Sequence, residues 1–150
     1  MRVIIQRVSQ ACVTIEDRVV GKIGAGLCVL VGIEIGDTSD DVIWLATKVA
    51  QLRIFCDDEG KMSKSVQETG GEILVISQFT LHASTKKGNR PSFLRAARPE
   101  EAVPLYEQFL VVVESSLSTP LARGVFGADM NVTLVNNGPV TLVIDSRQRE

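Results

Sequence analysis

The sequence predicts an α+β domain with curled, barrel-like β-sheets and two main helices. Three observations predict it. Segments rich in Val and Ile open and close the chain, two amphipathic stretches of helical spacing lie between them, and the order of elements lacks the regular alternation of a doubly wound sheet. With 150 residues, 45% of them hydrophobic, the chain reads as one domain over residues 1–150, able to bury about two thirds of its unfolded surface. No repeat, linker or low-complexity stretch marks a second domain.

Residues 2–15 read as a strand, and RVVGKIG after Glu16 and Asp17 reads as its hairpin partner. LCVLVGIE, 27–34, is a buried strand. GDTSDD then supplies turn and N-cap residues for a first helix, where Val42, Leu45, Ala46, Val49 and Leu52 recur at helical spacing. CDDEGKM is a turn, and EILVISQFTLHA after Gly70 and Gly71 reads as a central strand with apolar residues on both faces. The second helix, in PEEAVPLYEQFLVVVESSL, aligns Val103, Tyr106, Phe109 or Leu110, Val113 and Leu117, with Glu100 and Glu101 near its positive end.

The remainder, LARGVFGADMNVTLVNNGPVTLVID, reads as two or three strands joined by short glycine- or asparagine-rich links. Gly138-Pro139 sits where the last strand should begin pairing. Proline has no backbone N–H, so local chemistry makes the pair a turn at a strand start.

Composition excludes several classes. The longest polar-free stretches fall far short of the ~20 residues a membrane span needs, and Arg7 breaks the apolar start too early for a signal peptide. A soluble, intracellular protein is expected. Cys12, Cys28 and Cys56 are odd in number and lack a Cys-x-x-Cys spacing, and His82 is the only histidine. They predict neither disulfides nor a metal site, and no motif calls for a cofactor. The formal charge of −2 argues against broad coating of nucleic acid. One stretch departs from that balance: STKKGNRPSFLRAARP, 84–99, carries Lys86, Lys87, Arg90, Arg95 and Arg98 and no acid. It is either a solvated basic loop or a set of phosphate contacts.

Polar groups crowd the end of the predicted central strand: Gln78, Thr80 and His82 on one face, Ser77 on the other. A nucleophilic reading makes Thr80 or Ser77 attack with His82 as base. Residues two apart on a strand stand about 7 Å apart, too far for direct proton transfer, and no Gly-x-Ser-x-Gly elbow is present. The alternative is backbone chemistry, in which the N–H groups of Phe79 and Thr80 face a developing oxyanion. Arg7, among apolar strand residues, is either a snorkelling edge residue or a buried donor fork.

Taken together, SQFTL at 77–81, KGNRPSF at 87–93, FGADM at 126–130 and NNGPVT at 136–141 resemble the D-aminoacyl-tRNA deacylases, over the whole chain. The resemblance implies a cytoplasmic homodimer, not membrane-bound, that hydrolyses the ester between a D-amino acid, or mischarged glycine, and tRNA. It implies that Gly138 and Pro139, joined in cis, enter the partner subunit's pocket and exclude an L side chain, with Arg7 holding their carbonyls. Ser77, Gln78, Phe79 and Thr80 would line the pocket, with Phe126 and Met130 packed around substrate, and Lys86, Lys87 and Arg90 would meet the tRNA. Catalysis then falls to Phe79 and Thr80, as side chain or as amide donors, with a tRNA 2′-hydroxyl helping to position water. A non-catalytic tRNA-binding module and a general Thr or Ser esterase are the competing readings.

Overall fold

The computed structural model describes residues 1–149. Strand β1, Arg2–Ile15, is the spine. On one side it pairs antiparallel with β3, Gly26–Gly32, through its first half and with β2, Arg18–Ile23, through its second. On the other side it pairs along nearly its whole length with β8, Asn131–Asp145. β6, Glu72–Ser77, lies parallel to β3, and the short β7, Ala122–Arg123, parallel to β6. A separate hairpin joins β4, Phe55–Cys56, and β5, Met62–Lys64.

β1 curls where the ladders on its two edges are bulged. Its register with β8 slips between Val8 and Gln10, and with β2 between Val13 and Thr14; extra residues in one strand increase the local twist. The curl gives the sheet two apolar faces. Val3 and Ile5 of β1, Val29 and Val31 of β3 and Val75 of β6 join a large core covered by helix α1, Ser39–Gln51, and helix α2, Pro99–Ser115. Val8, Ala11 and Val13 join Cys28, Leu74 and Ile76 in a second cluster inside the curl. β3 and β6 feed both clusters, which is why their sequences run continuously apolar.

The helices follow local signals. Asp41 accepts from the Thr38 N–H at 2.9 Å and from its hydroxyl at 3.0 Å, closing the N-terminus of α1. α2 starts at Pro99, where the missing N–H costs nothing, and buries Ala102, Tyr106, Phe109, Leu110 and Val113. Val103, expected on the buried stripe, faces out, and Ala102 takes its place.

Two strand expectations are corrected. The central strand does not continue to His82; β6 ends at Ser77 and a 3-10 helix spans Phe79–His82. The reason is a shortage of partners. Gln78 N–H makes the last bond towards β3, to the Val31 carbonyl at 2.7 Å, and β3 itself ends at Gly32. The backbone then pairs within itself, Leu81 N–H to the Gln78 carbonyl and Ala83 N–H to the Thr80 carbonyl. Gly32 permits the close passage, since a Cβ there would lie 2.9 Å from the Gln78 oxygen.

Residues 131–145, expected as two strands joined by a turn, instead form the single strand β8. Both halves pair with β1: Asn136 lies opposite Val8 and Thr141 opposite Gln6. Residues 137–140 therefore stand against Arg7 alone and project from the ladder as an excursion.

Candidate active site

A cavity of about 270 Å³ opens where β6 passes into the 3-10 helix, between that turn, the end of β3, the start of α2 and the segment before β8. Val31, Ile33, Ile76 and Ala102 make its apolar wall, while Ser77 and Gln78 bring polar groups. Five residues expected around a pocket line it: Ser77, Gln78, Phe79, Phe126 and Met130. Asp129, within the FGADM stretch but not among the residues the resemblance points to, lines it too.

The 3-10 turn has a chemical consequence. The first N–H groups of any helix lack intrahelical acceptors. Gln78 and Leu81 donate to backbone carbonyls, whereas the amides of Phe79 and Thr80 find no acceptor among the described residues. Two adjacent backbone donors are thus available next to the cavity. The Thr80 side chain is differently engaged. Its hydroxyl accepts from Gln78 Nε2 at 2.6 Å, and Thr80 is not among the lining residues.

His82 cannot serve Thr80 as a base in this arrangement. The strand geometry that placed them on one face is replaced by a helical turn, and the imidazole is fully buried away from the cavity lining. Among the described residues both ring nitrogens lack hydrogen-bond partners, and the Glu34 carboxylate lies close, with Oε2 3.8 Å from Nδ1. Burial pushes the His82 pKa below its ordinary value.

Aromatic packing frames the cavity. Phe79 meets Phe93 edge to face at 5.1 Å between centroids, and Phe126 leans on Tyr106 at 5.6 Å. The Tyr106 hydroxyl donates to the Val75 carbonyl at 3.3 Å, which ties α2 to β6. Through Phe93 the basic stretch is fastened beside the site. A two-residue bridge between Ser84 and Ser92 closes a loop that carries Lys86, Lys87 and Arg90 on its exposed part, none of them in an ion pair among the described residues.

Gly138 and Pro139 lie elsewhere, exposed on the excursion of β8, and do not line the cavity of their own chain. The peptide bond between them is cis, and Gly138 has φ +127°, a region that L side chains rarely adopt. Beneath it Arg7 is a buried donor fork, not a snorkelling edge residue. The family resemblance implies that it holds the Gly138 and Pro139 carbonyls. Instead Nε donates to the Asn137 carbonyl at 3.1 Å, Nη2 to Asn137 Oδ1 at 3.3 Å and Nη1 to the Ile54 carbonyl at 2.6 Å. Register explains the difference: Arg7 faces the base of the excursion, so its fork reaches the first carbonyl there.

Cys28 is buried and its thiol is pushed up to about 11, while Cys12 and Cys56 are more open. Among the described residues, no three His, Cys, Asp or Glu side chains gather in a way that could hold a metal ion. Among the described residues, no helix is long and apolar enough to cross a membrane.

The chain resembles known proteins along its length. The family model described as D-Tyr-tRNA(Tyr) deacylase matches residues 4–145. A D-aminoacyl-tRNA deacylase of Akkermansia muciniphila is 59% identical over 150 residues, covering all of both chains, and one of Opitutus terrae is 60% identical over the same span. A solved structure described as c-Myc DNA Unwinding Element Binding Protein superposes with a TM-score of 0.91 at 39% identity, covering 97% of this chain and 98% of that one. With the family model matching residues 4–145 and its relatives matching over all 150 residues, the chain belongs to the D-Tyr-tRNA(Tyr) deacylase family.

Proposed function

We propose that this protein hydrolyses the ester of D-aminoacyl-tRNA in the cytoplasm, releasing free tRNA and the D-amino acid, and spares L-aminoacyl-tRNA. Family membership supports the ester hydrolysis. The observation that carries the site assignment is the pair of free amides at Phe79 and Thr80 beside the cavity. A carbonyl seated there gains two donors as its oxygen becomes negative in the tetrahedral intermediate, the kind of contact whose loss costs about 10²–10³ in rate. Water attacks the carbonyl carbon, the bond to the ribose 3′-oxygen breaks, and that oxygen takes the proton. Thr80 Oγ1 is engaged by Gln78, so the water, oriented by the tRNA 2′-hydroxyl, is the nucleophile in this reading, and no acyl-enzyme forms.

Chirality is read by a second copy of the chain. The exposed excursion carrying Gly138 and Pro139 projects from one protomer, and its backbone enters the partner's cavity, where fixed carbonyls leave no room for an L side chain. Arg7 secures the base of that probe. Glycine, which has no side chain to exclude, is also a substrate. Lys86, Lys87 and Arg90 meet the phosphates of the acceptor end.

The test is release of tyrosine from D- and L-tyrosyl-tRNA by the purified protein. Selective release from the D ester is expected; equal rates on both would overturn the chiral reading, and salt-sensitive tRNA binding without cleavage would leave a binding module. Sedimentation of the free protein should show a dimer.

A further inference from the structure

Glu34 is buried, 7% exposed, and lies just beyond β3 outside the cavity lining. Its side chain gathers three segments: the basic stretch, the 3-10 turn and the chain beyond β8. Oε1 accepts from Arg95 Nε and Nη2, both at 2.6 Å; Oε2 lies 3.6 Å from Arg147 Nη1 and 3.8 Å from His82 Nδ1 of the 3-10 turn. The backbone repeats the link. Ile35 N–H donates to the Arg95 carbonyl and Ala97 N–H to the Ile33 carbonyl, each at 3.0 Å. Ile33 and Ala97 both line the cavity, so the basic stretch is docked at its wall.

Arg95 belongs to that stretch, and its side chain is about half exposed, while Glu34 is held inside. A loop of cations tied at one end to a buried carboxylate presents its charges from a restricted position. A loose loop must be ordered when phosphate binds, and that ordering weakens binding without touching the chemical step. We propose that Glu34 is a positioning residue for substrate binding: by holding Arg95 it sets where Lys86, Lys87 and Arg90 stand relative to the cavity. The proposal rests on the deacylase reading of that cavity.

Glu34→Gln and Arg95→Ala should each raise the KM for D-tyrosyl-tRNA about 10-fold and leave kcat within about 2-fold. Arg95→Ala keeps the test open if the buried substitution unfolds the protein, because a half-exposed side chain can be cut back without opening the core. The double variant should be no worse than the poorer single, and Arg95→Lys should recover part of the loss. In both single variants, trypsin should cut the native protein after Lys86 or Lys87 several times faster. Unchanged KM, or effects that add because Arg95 touches phosphate itself, overturns the proposal. If the wild-type protein releases no D-tyrosine, the deacylase reading falls alone. The trypsin rate and the affinity for uncharged tRNA then decide the positioning role, and no change in either variant overturns it.

Discussion

Arg7 Nε donates to the Asn137 carbonyl at 3.1 Å while Nη2 reaches Asn137 Oδ1 at 3.3 Å, so one guanidinium holds both acceptors of one residue. The third donor goes to Ile54 at 2.6 Å. Arg7→Ala leaves those acceptors without their charged donor and should destabilise the fold by about 2–4 kcal/mol, read as a lower Tm. Arg7→Lys keeps the charge and loses the fork. It should melt nearer the wild type while its preference for D- over L-tyrosyl-tRNA falls about 10-fold. Unchanged discrimination in Arg7→Lys would detach Arg7 from the chiral probe.

Gly138 is replaceable only at a local cost. At φ +127°, an added Cβ would lie 2.9 Å from Val140 Cγ2 and 3.0 Å from both Arg7 Nη2 and the Val140 nitrogen. Gly138→Ala should therefore distort the excursion at a cost of about 1–3 kcal/mol and keep the circular dichroism spectrum of the wild type. Turnover of D-tyrosyl-tRNA should drop at least about 10-fold, because misplacing a positioning element by an ångström is costly. Full activity in Gly138→Ala would remove the excursion from the site.

Thr80 separates side-chain from backbone catalysis. Thr80→Ala deletes a hydroxyl that is bonded to Gln78 and keeps the amide. Single-turnover hydrolysis should slow by less than about 10-fold, and no acyl-enzyme should accumulate on quenching. A loss near 10⁴-fold, of the order seen when a nucleophile is deleted, would restore Thr80 to that role.

His82 makes stability depend on pH. Burial lowers its folded pKa below the ordinary 6.5, so between those two values the unfolded chain binds more protons than the folded one. Stability attached to the neutral imidazole is complete above 6.5 and is lost as pH falls through the folded value. His82→Leu removes the titration together with two buried nitrogens that have no partner among the described residues. Its Tm should gain on the wild type as pH falls from 7 to 5, and parallel curves would show that His82 does not titrate on unfolding.

Thiol chemistry should follow burial. Cys56 is exposed, whereas Cys28 is buried with its thiol raised to about 11. Iodoacetamide at neutral pH should modify Cys56 first and spare Cys28 until the protein unfolds, read by mass spectrometry of peptides.

Periodicity and turn chemistry carried much of this fold. Val42, Leu45, Ala46 and Val49 announce one helix, Tyr106, Phe109 and Val113 the other, and the unbroken apolar runs of β3 and β6 announce burial on both faces, because side-chain spacing is a local property of the backbone. The family resemblance, not spacing, groups Ser77, Gln78, Phe79, Phe126 and Met130, which line one cavity.

Pairing decided the rest. Whether SQFTL continues as a strand depends on where β3 runs out of hydrogen-bonding groups, and that ending converts an expected strand face into a turn with two free amides. Whether NNGPVT is a turn or an excursion depends on both of its flanks finding the same partner strand, more than a hundred residues away in sequence. Glu34 gives no local sign of its importance, since Arg95 and Arg147 reach it only through the folded chain. Side-chain periodicity is written residue by residue, but the fate of a backbone N–H is settled by whichever distant segment arrives to accept from it.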